Sequence, residues 1–201
     1  MPVSAQAALL RFAGLVLAVA LTGCSGLATR EPARVPAADT WTLEGRIALR
    51  LEEEGWHASV VWRQRPGSYR LRLQGPLGQG ALELTGSAAG VILERADGRI
   101  SQARDPDILL YQETGWQLPV SGLRYWVRGR PVPDIKARSR HDDQGRLVEL
   151  HQAGWDIRYT DFFQTGALPR RIELVNGEVR VKLIIDQWQR LPAADEADDA
   201  S

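Results

Sequence analysis

Cysteine and histidine are scarce in this 201-residue chain, which contains one cysteine and three histidines. The single cysteine, Cys24, excludes an intrachain disulfide, so the fold must be held by its hydrophobic core. His57, His141 and His151 lack the i, i+2 spacing that two metal ligands on one strand face would need. His141 and His151 could meet across a hairpin, but solvated strand positions are the preferred interpretation. We therefore expect no metal site.

A net charge is also absent, because 25 basic residues balance 25 acidic ones. This balance removes the electrostatic basis for binding nucleic acid. The sequence contains no nucleophile elbow, no phosphate-binding loop and no H-E-x-x-H zinc motif. The glycine-rich stretch Gly75–Gly80 lacks the Lys-Ser/Thr ending of a phosphate loop, and Glu52–Glu54 fits a solvated turn. These absences predict a protein that is not an enzyme, has no catalytic residues and needs no cofactor.

The first 23 residues have the pattern of an export signal. Arg11 is the only charged residue before position 30, and the apolar stretch Phe12–Leu21 is shorter than the ~20 residues that span a membrane. It ends in Leu21-Thr22-Gly23-Cys24, which resembles the lipobox of bacterial lipoproteins. A plain secretory signal with a chance cysteine is the alternative, but this cysteine lies at the expected boundary. We predict a lipoprotein signal peptide over 1–23 and lipid attachment at Cys24.

Composition divides the rest of the chain into three parts. Residues 24–40 are rich in Ala, Pro, Thr and Arg without apolar periodicity, which predicts a lipidated N-terminus and a flexible tether. Ser25 follows the cysteine, and by analogy with lipoproteins the absence of Asp at this position favours the outer membrane. Residues 192–201 predict a disordered acidic tail. The folded domain is thus expected to occupy residues 41–191.

Apolar residues alternate with polar ones along most of this domain, as they do in half-buried strands. One face of the first predicted strand is formed by Trp41, Leu43, Ile47, Leu49 and Leu51. Gly45 interrupts that face, as glycine does at a bend or bulge. Similar runs continue to residue 188, separated by turn signals such as Asn176-Gly177. The pattern predicts a mainly β domain of ten or eleven antiparallel strands.

One region breaks the alternation and predicts two short helices. Asp105-Pro106-Asp107 matches an N-cap followed by proline at the first helical position, and Gly115 would end that helix. Ser121 is the expected cap of a second helix, closed by Gly129, whose apolar residues are Leu123, Trp126 and Val127. Two helices inserted in mid-sheet predict a cover over the apolar face of a curled sheet.

Seven tryptophans are many for a chain of this length. Tryptophan fills a hydrophobic core well, and it can equally line a cavity for an apolar ligand. Composition does not separate these two interpretations, and both remain open at this point.

Short groups of residues follow a characteristic order over almost the whole of residues 41–188. They are Gly45, Trp62, Tyr69-Arg70-Leu71, Pro76-Leu77-Gly78, Leu82-Glu83-Leu84, Thr114-Gly115, Leu118-Pro119, Leu123-Arg124, Trp126, Gly129, Lys182-Leu183 and Trp188. With the lipobox, this ordered set resembles the LolB family of outer-membrane lipoprotein receptors, which accept lipoproteins from the periplasmic carrier LolA.

The resemblance implies an open antiparallel half-barrel of about eleven strands, with short helices covering its concave face. It also implies that the chain binds the acyl chains of lipoproteins in an apolar cavity and inserts them into the outer membrane without nucleotide hydrolysis. The implied location is the outer membrane, where the chain would be lipid-anchored and face the periplasm. The implied partners are LolA, acylated lipoprotein cargo and outer-membrane lipid, and we expect a monomer.

The resemblance also assigns roles to individual residues. Leu77 matches a leucine that protrudes from its turn in the family and assists release into the membrane. Pro76 and Gly78 fit a tight exposed turn, although a scattered surface leucine is the simpler alternative. The residues expected to line the acyl-chain cavity are Ile47, Trp62, Leu71, Leu84, Leu123 and Trp126.

Two other functions are alternatives to that of a lipoprotein receptor. The first is a structural envelope-assembly lipoprotein that binds a protein partner through its sheet edges. The second is an acyl-handling enzyme, which the sequence disfavours because no nucleophile with an adjacent base is evident.

Overall fold

The computed structural model describes residues 40–51, 54–78, 80–164 and 166–189. The predicted signal peptide (1–23), all but the last residue of the predicted 24–40 tether, and the acidic tail (192–201) lie outside the described residues. Within these residues the strands are β1 (Trp41–Leu51), β2 (Glu54–Arg65), β3 (Ser68–Gln74), β4 (Leu82–Ser87), β5 (Gly90–Arg95), β6 (Ile100–Ala103), β7 (Ala137–His141), β8 (Leu147–Gln152), β9 (Trp155–Phe162), β10 (Pro169–Asn176) and β11 (Val179–Gln189). The helices are α1 (Pro106–Thr114) and α2 (Val120–Trp126), and a short 3-10 turn covers Pro76–Gly78.

The strands form one antiparallel sheet with the order β6-β5-β4-β3-β2-β1-β11-β10-β9-β8-β7. The first and last strands therefore pair at its middle, where Ile47 lies opposite Leu183. Arg46 and Asp186, 140 residues apart in sequence, form an ion pair of 2.7 Å across this pair. Strands β6 and β7 form the two edges. The predicted mainly β, open antiparallel sheet of about eleven strands is confirmed, with two meanders joined through β1 and β11.

Strand β1 contains the predicted irregularity at Gly45. Its register against β11 shifts between Glu44 and Gly45, and a Cβ atom at position 45 would collide with the carbonyl oxygen of Ile184. The close approach of two backbones explains why glycine is needed here. Leu51 keeps the predicted face of β1, opposite the buried Val179, but it lies at the end of the strand and is exposed.

Both ends of α1 follow the sequence prediction. The Asp105 carboxylate accepts hydrogen bonds from the backbone N–H groups of Asp107 and Ile108, and Pro106 occupies the first helical position. Gly115 ends the helix in the left-handed region, with φ of 75°. These contacts satisfy backbone groups that the helix itself leaves unpaired.

The start of α2 differs from the prediction. The helix begins at Val120 after Pro119, without a side-chain cap. Ser121 does not cap it, because its hydroxyl and its N–H both donate to the Asp107 carboxylate of α1. Gly129 completes the turn after α2, with φ of 66° and a hydrogen bond of 2.9 Å to the Trp126 carbonyl.

The helical segment lies across strands that are far apart in the sheet order. Helix α1 packs against β5 and β6, while Trp116, between the helices, contacts Trp56 of β2 with ring centroids 3.9 Å apart. Trp126 of α2 contacts Trp155 of β9 at 6.5 Å. A flat sheet could not bring these strands to one short segment, so the sheet is curved and the helices cover its concave face. In the described ranges, no helix is both long and apolar enough to cross a membrane.

The β7–β8 hairpin separates the two histidines that could have met across it. His141 lies opposite Leu147, and His151 lies opposite Arg138. His151 instead contacts the exposed carboxylate of Asp156, with 2.7 Å between Nδ1 and Oδ1. Among the residues that the structure describes, no cluster of three or more potential metal ligands occurs.

Candidate functional site

The inner face of the sheet and the helices enclose one continuous apolar interior. The six residues predicted to line a cavity, each at most 4% exposed, all belong to it: Ile47, Trp62, Leu71, Leu84, Leu123 and Trp126. Strand pairing places Leu71 of β3 between Trp62 and Leu84. The sequence thus predicted which side chains share the interior, and their role in binding acyl chains remains a prediction.

The tryptophans fill this interior in the present conformation. Each of the seven either belongs to the buried cluster or packs against it. At one end of the sheet the ring of Trp41 lies 5.6 Å from Trp62 and 5.3 Å from Trp188. The core interpretation therefore describes the closed structure. A cavity for long apolar chains requires the helices to move away from the sheet.

Trp126 lies between α2 and the sheet, as expected for a helix that covers the concave face. Its side chain is 1% exposed, with Leu123 and Val127 buried beside it. The ring lies back over Gly122, where a Cβ atom would come within 2.6 Å of it. Gly122 thereby lets the large ring lie between the helix and the sheet, which positions α2 over the concave face.

The buried amide of Gln152, on β8, connects α2 to the sheet. Its Oε1 accepts from Trp126 Nε1 at 2.9 Å and from the N–H of Val132 at 2.8 Å. Its Nε2 donates to the carbonyls of Val132 and Ile135, at 2.9 and 2.8 Å. Gln152 is 1% exposed. Four hydrogen bonds to this buried side chain thus hold both α2 and the segment that leads from it to β7.

The two helices are joined to one another by Asp107 and Ser121. Partial burial raises the pKa of the Asp107 carboxyl, although the hydrogen bonds from Ser121 act in the opposite direction. Beneath the helices, burial and the carboxylates of Asp107 and Asp105 raise the pKa of Tyr69. The two helices are therefore linked to one another. They are held to the sheet by apolar packing, by the Gln152 amide and by Glu113 of α1, which contacts Arg95 of β5 and Ser101 of β6.

Leu77 lies outside this interior, at the tip of the turn between β3 and β4. Its side chain is 97% exposed, as the sequence predicted. Its backbone has φ 56° and ψ 20°, a left-handed conformation that is unfavourable for a non-glycine residue. A leucine held outward in such a conformation adds nothing to the core, so its apolar side chain is available to another surface.

A family model described as "Outer membrane lipoprotein LolB" matches residues 39–188 of the chain. The chain belongs to the LolB family. The chain is 38% identical to the outer-membrane lipoprotein LolB of Chromohalobacter salexigens over 204 residues, covering 94% of this chain and 95% of that one. It is 39% identical over 185 residues to that of Pseudomonas aeruginosa strain PAO1, covering 84% and 90%. This finding confirms the family that the sequence resemblance indicated. It also confirms the prediction that the chain is not an enzyme.

The fold of this LolB-family chain is also found in a solved structure. A LolA superfamily protein from Nitrosomonas europaea superposes with a TM-score of 0.55 over 80% of this chain and 90% of its own, at 9% sequence identity. At that identity the likeness concerns the fold alone.

Two buried amides of the interior, Gln152 and Gln64, had no assigned role in the sequence analysis. The contact between Asp107 and Ser121 was not predicted either. A signal for the two amides was present. Gln64 continues the inward series of Trp56, Ala58, Val60 and Trp62, and Gln152 follows Leu150 at the same spacing. A polar residue at an inward strand position predicts a buried hydrogen-bonding role.

Proposed function

We propose that this chain is an outer-membrane lipoprotein receptor that accepts lipoproteins from LolA and inserts them into the outer membrane. The observation that carries the proposal is the continuous apolar interior between the curved sheet and two helices that are linked to one another. Acyl chains would enter that interior as the helices move outward, and Ile47, Trp62, Leu71, Leu84, Leu123 and Trp126 would contact them. LolA, the acylated cargo and outer-membrane lipid are the proposed partners of a monomeric receptor.

The energetics of acyl chains favour direct transfer between proteins. Exposing about 14 CH₂ groups to water costs on the order of 11 kcal/mol, and a lipoprotein carries several chains. Release of the acyl chains into water would therefore be very slow. Direct transfer between two proteins in contact keeps the chains out of water. Because no nucleotide is hydrolysed, the direction of transfer is set by affinity for the acyl chains. This affinity increases from the carrier to the receptor and from the receptor to the bilayer.

The proposed anchoring follows from the N-terminal sequence. Cleavage after residue 23 and lipidation of Cys24 would attach the chain to the outer membrane on its periplasmic side. A flexible tether of about sixteen residues has a root-mean-square span of ~20 Å, which keeps the domain close to the bilayer. The acidic tail would remain in solution.

The edge strands do not favour the alternative function, a structural lipoprotein that binds a protein partner through its sheet edges. Strand β6 covers only Ile100–Ala103, and the five residues of β7 are all exposed and include Arg138 and Arg140. Short, charged edges are poor templates for adding another strand.

A transfer assay tests the proposed function. Labelled lipoprotein bound to LolA is mixed with the mature chain carrying Cys24→Ser, which keeps the receptor in solution, and the complexes are separated by affinity capture. We expect the label to move to the receptor. An equal amount of the same protein, heat-unfolded beforehand, is the control. Label that remains entirely on LolA at saturating receptor would contradict the receptor function.

Cys24→Ala in the complete precursor should abolish membrane anchoring, because the thiol is the atom to which lipid attaches. The variant should remain uncleaved or appear in the soluble periplasmic fraction. The measurement is membrane fractionation together with mass spectrometry of the N-terminus, with Ser25→Ala as a matched neighbouring control. An unlipidated Cys24→Ala protein that still fractionates with the outer membrane would refute the anchor.

A further inference from the structure

Three buried polar groups beside the β2–β3 turn have no hydrogen-bond partner within the part of the chain that the structure describes. They are Trp62 Nε1, Gln64 Oε1 and the Tyr69 hydroxyl, and we refer to them as the interior polar cluster. Trp62 and Gln64 are 3% and 4% exposed, and both face inward from β2. Tyr69 lies opposite Gln64 in β3, and its ring centroid is 6.0 Å from that of Trp62. Two donors and one acceptor thus face the interior from neighbouring positions of β2 and β3.

Neighbouring contacts fix the orientation of these side chains. Gln64 Nε2 donates to the carbonyls of Arg65 at 2.9 Å and Ser68 at 3.0 Å, which leaves Oε1 as the free acceptor. The Tyr69 ring lies directly on Gly86, where a Cβ atom would collide with it. Neither side chain can turn toward solvent without losing these contacts. The cluster is therefore a built feature of the interior.

The cluster lies beneath the helices that would have to move for cargo to enter. The Tyr69 hydroxyl is within electrostatic range of Asp105 and Asp107 at the start of α1 and of Arg124 in α2. It is also distant from the Pro76–Gly78 turn, because Tyr69 is near the start of β3 and Leu77 follows the end of that strand. The cluster thus belongs to the space assigned to the cargo, and it is separate from the turn that would contact the membrane.

We propose that the interior polar cluster binds the carbonyl region of the acylated cysteine of the cargo. This inference rests on the proposed function. An acylated cysteine carries two ester carbonyls on its glyceryl group and one amide on its amine. The ester oxygens accept from Trp62 Nε1–H and the Tyr69 hydroxyl, and the amide N–H donates to Gln64 Oε1. Bare hydrocarbon would leave all three groups unpaired, which is unfavourable in a buried position.

The experiment compares two synthetic probes of equal chain length. One is a fluorescent three-chain lipopeptide with ester-linked glyceryl chains, and the other is its dialkyl ether analogue, which keeps the hydrocarbon and lacks the ester carbonyls. Binding to the mature chain with Cys24→Ser is measured by fluorescence anisotropy. We expect the ester probe to bind about tenfold more tightly, as two net hydrogen bonds imply.

Tyr69→Phe and Trp62→Phe should each reduce this ester preference about threefold. In Tyr69→Phe, affinity for the ether probe should stay close to that of the parent protein, which shows that the fold and the apolar contacts are intact. Trp62→Phe also shortens a side chain assigned to acyl-chain contact, so this variant is compared only by its ratio of ester to ether affinity. Tyr159→Phe is the matched control, because Tyr159 also has a buried hydroxyl without a partner among the described residues but lies on β9. It should leave the preference unchanged.

Each result separates the inference from the function on which it rests. Equal affinity of the parent protein for both probes overturns the carbonyl site while leaving acyl-chain binding intact. An equal loss of preference in Tyr159→Phe overturns the assignment to this cluster. If neither probe binds, the proposed function fails, and the inference fails with it.

Discussion

Leu77→Glu should leave acceptance of lipoprotein from LolA unchanged and reduce delivery to liposomes by up to about a hundredfold. The side chain is almost fully exposed and lies outside the buried interior, so the fold should lose less than ~0.5 kcal/mol. If Leu77 has the delivery role that the family resemblance implies, delivery places the same position in the acyl region of a bilayer. A carboxylate there is unfavourable by ~2.5–3.5 kcal/mol on insertion scales. Both steps are measured on one preparation, with labelled cargo followed first from LolA and then into liposomes.

Two variants control this experiment. Leu77→Met keeps an apolar side chain and should deliver normally. Ile92→Glu introduces the same charge at another exposed apolar residue, on the outer face of β5, and should change neither step. If acceptance and delivery fall together in Leu77→Glu, Leu77 belongs to the interior or the fold. If neither step changes, it is an ordinary surface leucine.

Gln152→Leu should lower the free energy of unfolding by at least ~3 kcal/mol. Replacing the amide leaves Trp126 Nε1, the Val132 N–H and two backbone carbonyls without their partner. Each buried polar group left unpaired costs about 1–3 kcal/mol, and part of that cost is recovered where the segment around Val132 reaches water. Urea denaturation followed by tryptophan fluorescence measures the change.

The same substitution at an exposed position separates this effect from a general effect of added leucine. Gln102→Leu, on the outer face of edge strand β6, should change stability by less than ~0.5 kcal/mol. Trp126→Phe should give an intermediate loss, since it removes one of the four hydrogen bonds and part of the buried ring. A Gln152→Leu variant as stable as the parent would show that the amide does not hold the helices to the sheet.

Local patterns predicted much of this molecule. Asp105, Pro106 and Gly115 set the bounds of α1 because caps act within one helical turn. Period-two alternation identified the inward side chains, since a strand turns consecutive residues to opposite faces. The exposure of Leu77 followed from its neighbours, Pro76 and Gly78.

Other features depend on residues that are distant in sequence. Ser121 was a reasonable cap by position, but the Asp107 carboxylate of α1 competes for its donors. The partners of Gln152 lie 17 to 26 residues away, in α2 and in the irregular segment that follows it. The pairing of β1 with β11 has no local signal, because each strand reads as an ordinary half-buried strand.

The β1–β11 pair has a consequence for how the chain matures after synthesis. Synthesis produces β1 first, and its central partner follows 140 residues later, as the positions of Arg46 and Asp186 show. Without β11, a half-sheet of β1–β6 would have its inner edge unpaired, a state prone to aggregation. Only a chain that includes β11 can complete the middle of the sheet. A chain truncated before β11 should therefore be cleaved by proteases more readily than the complete domain.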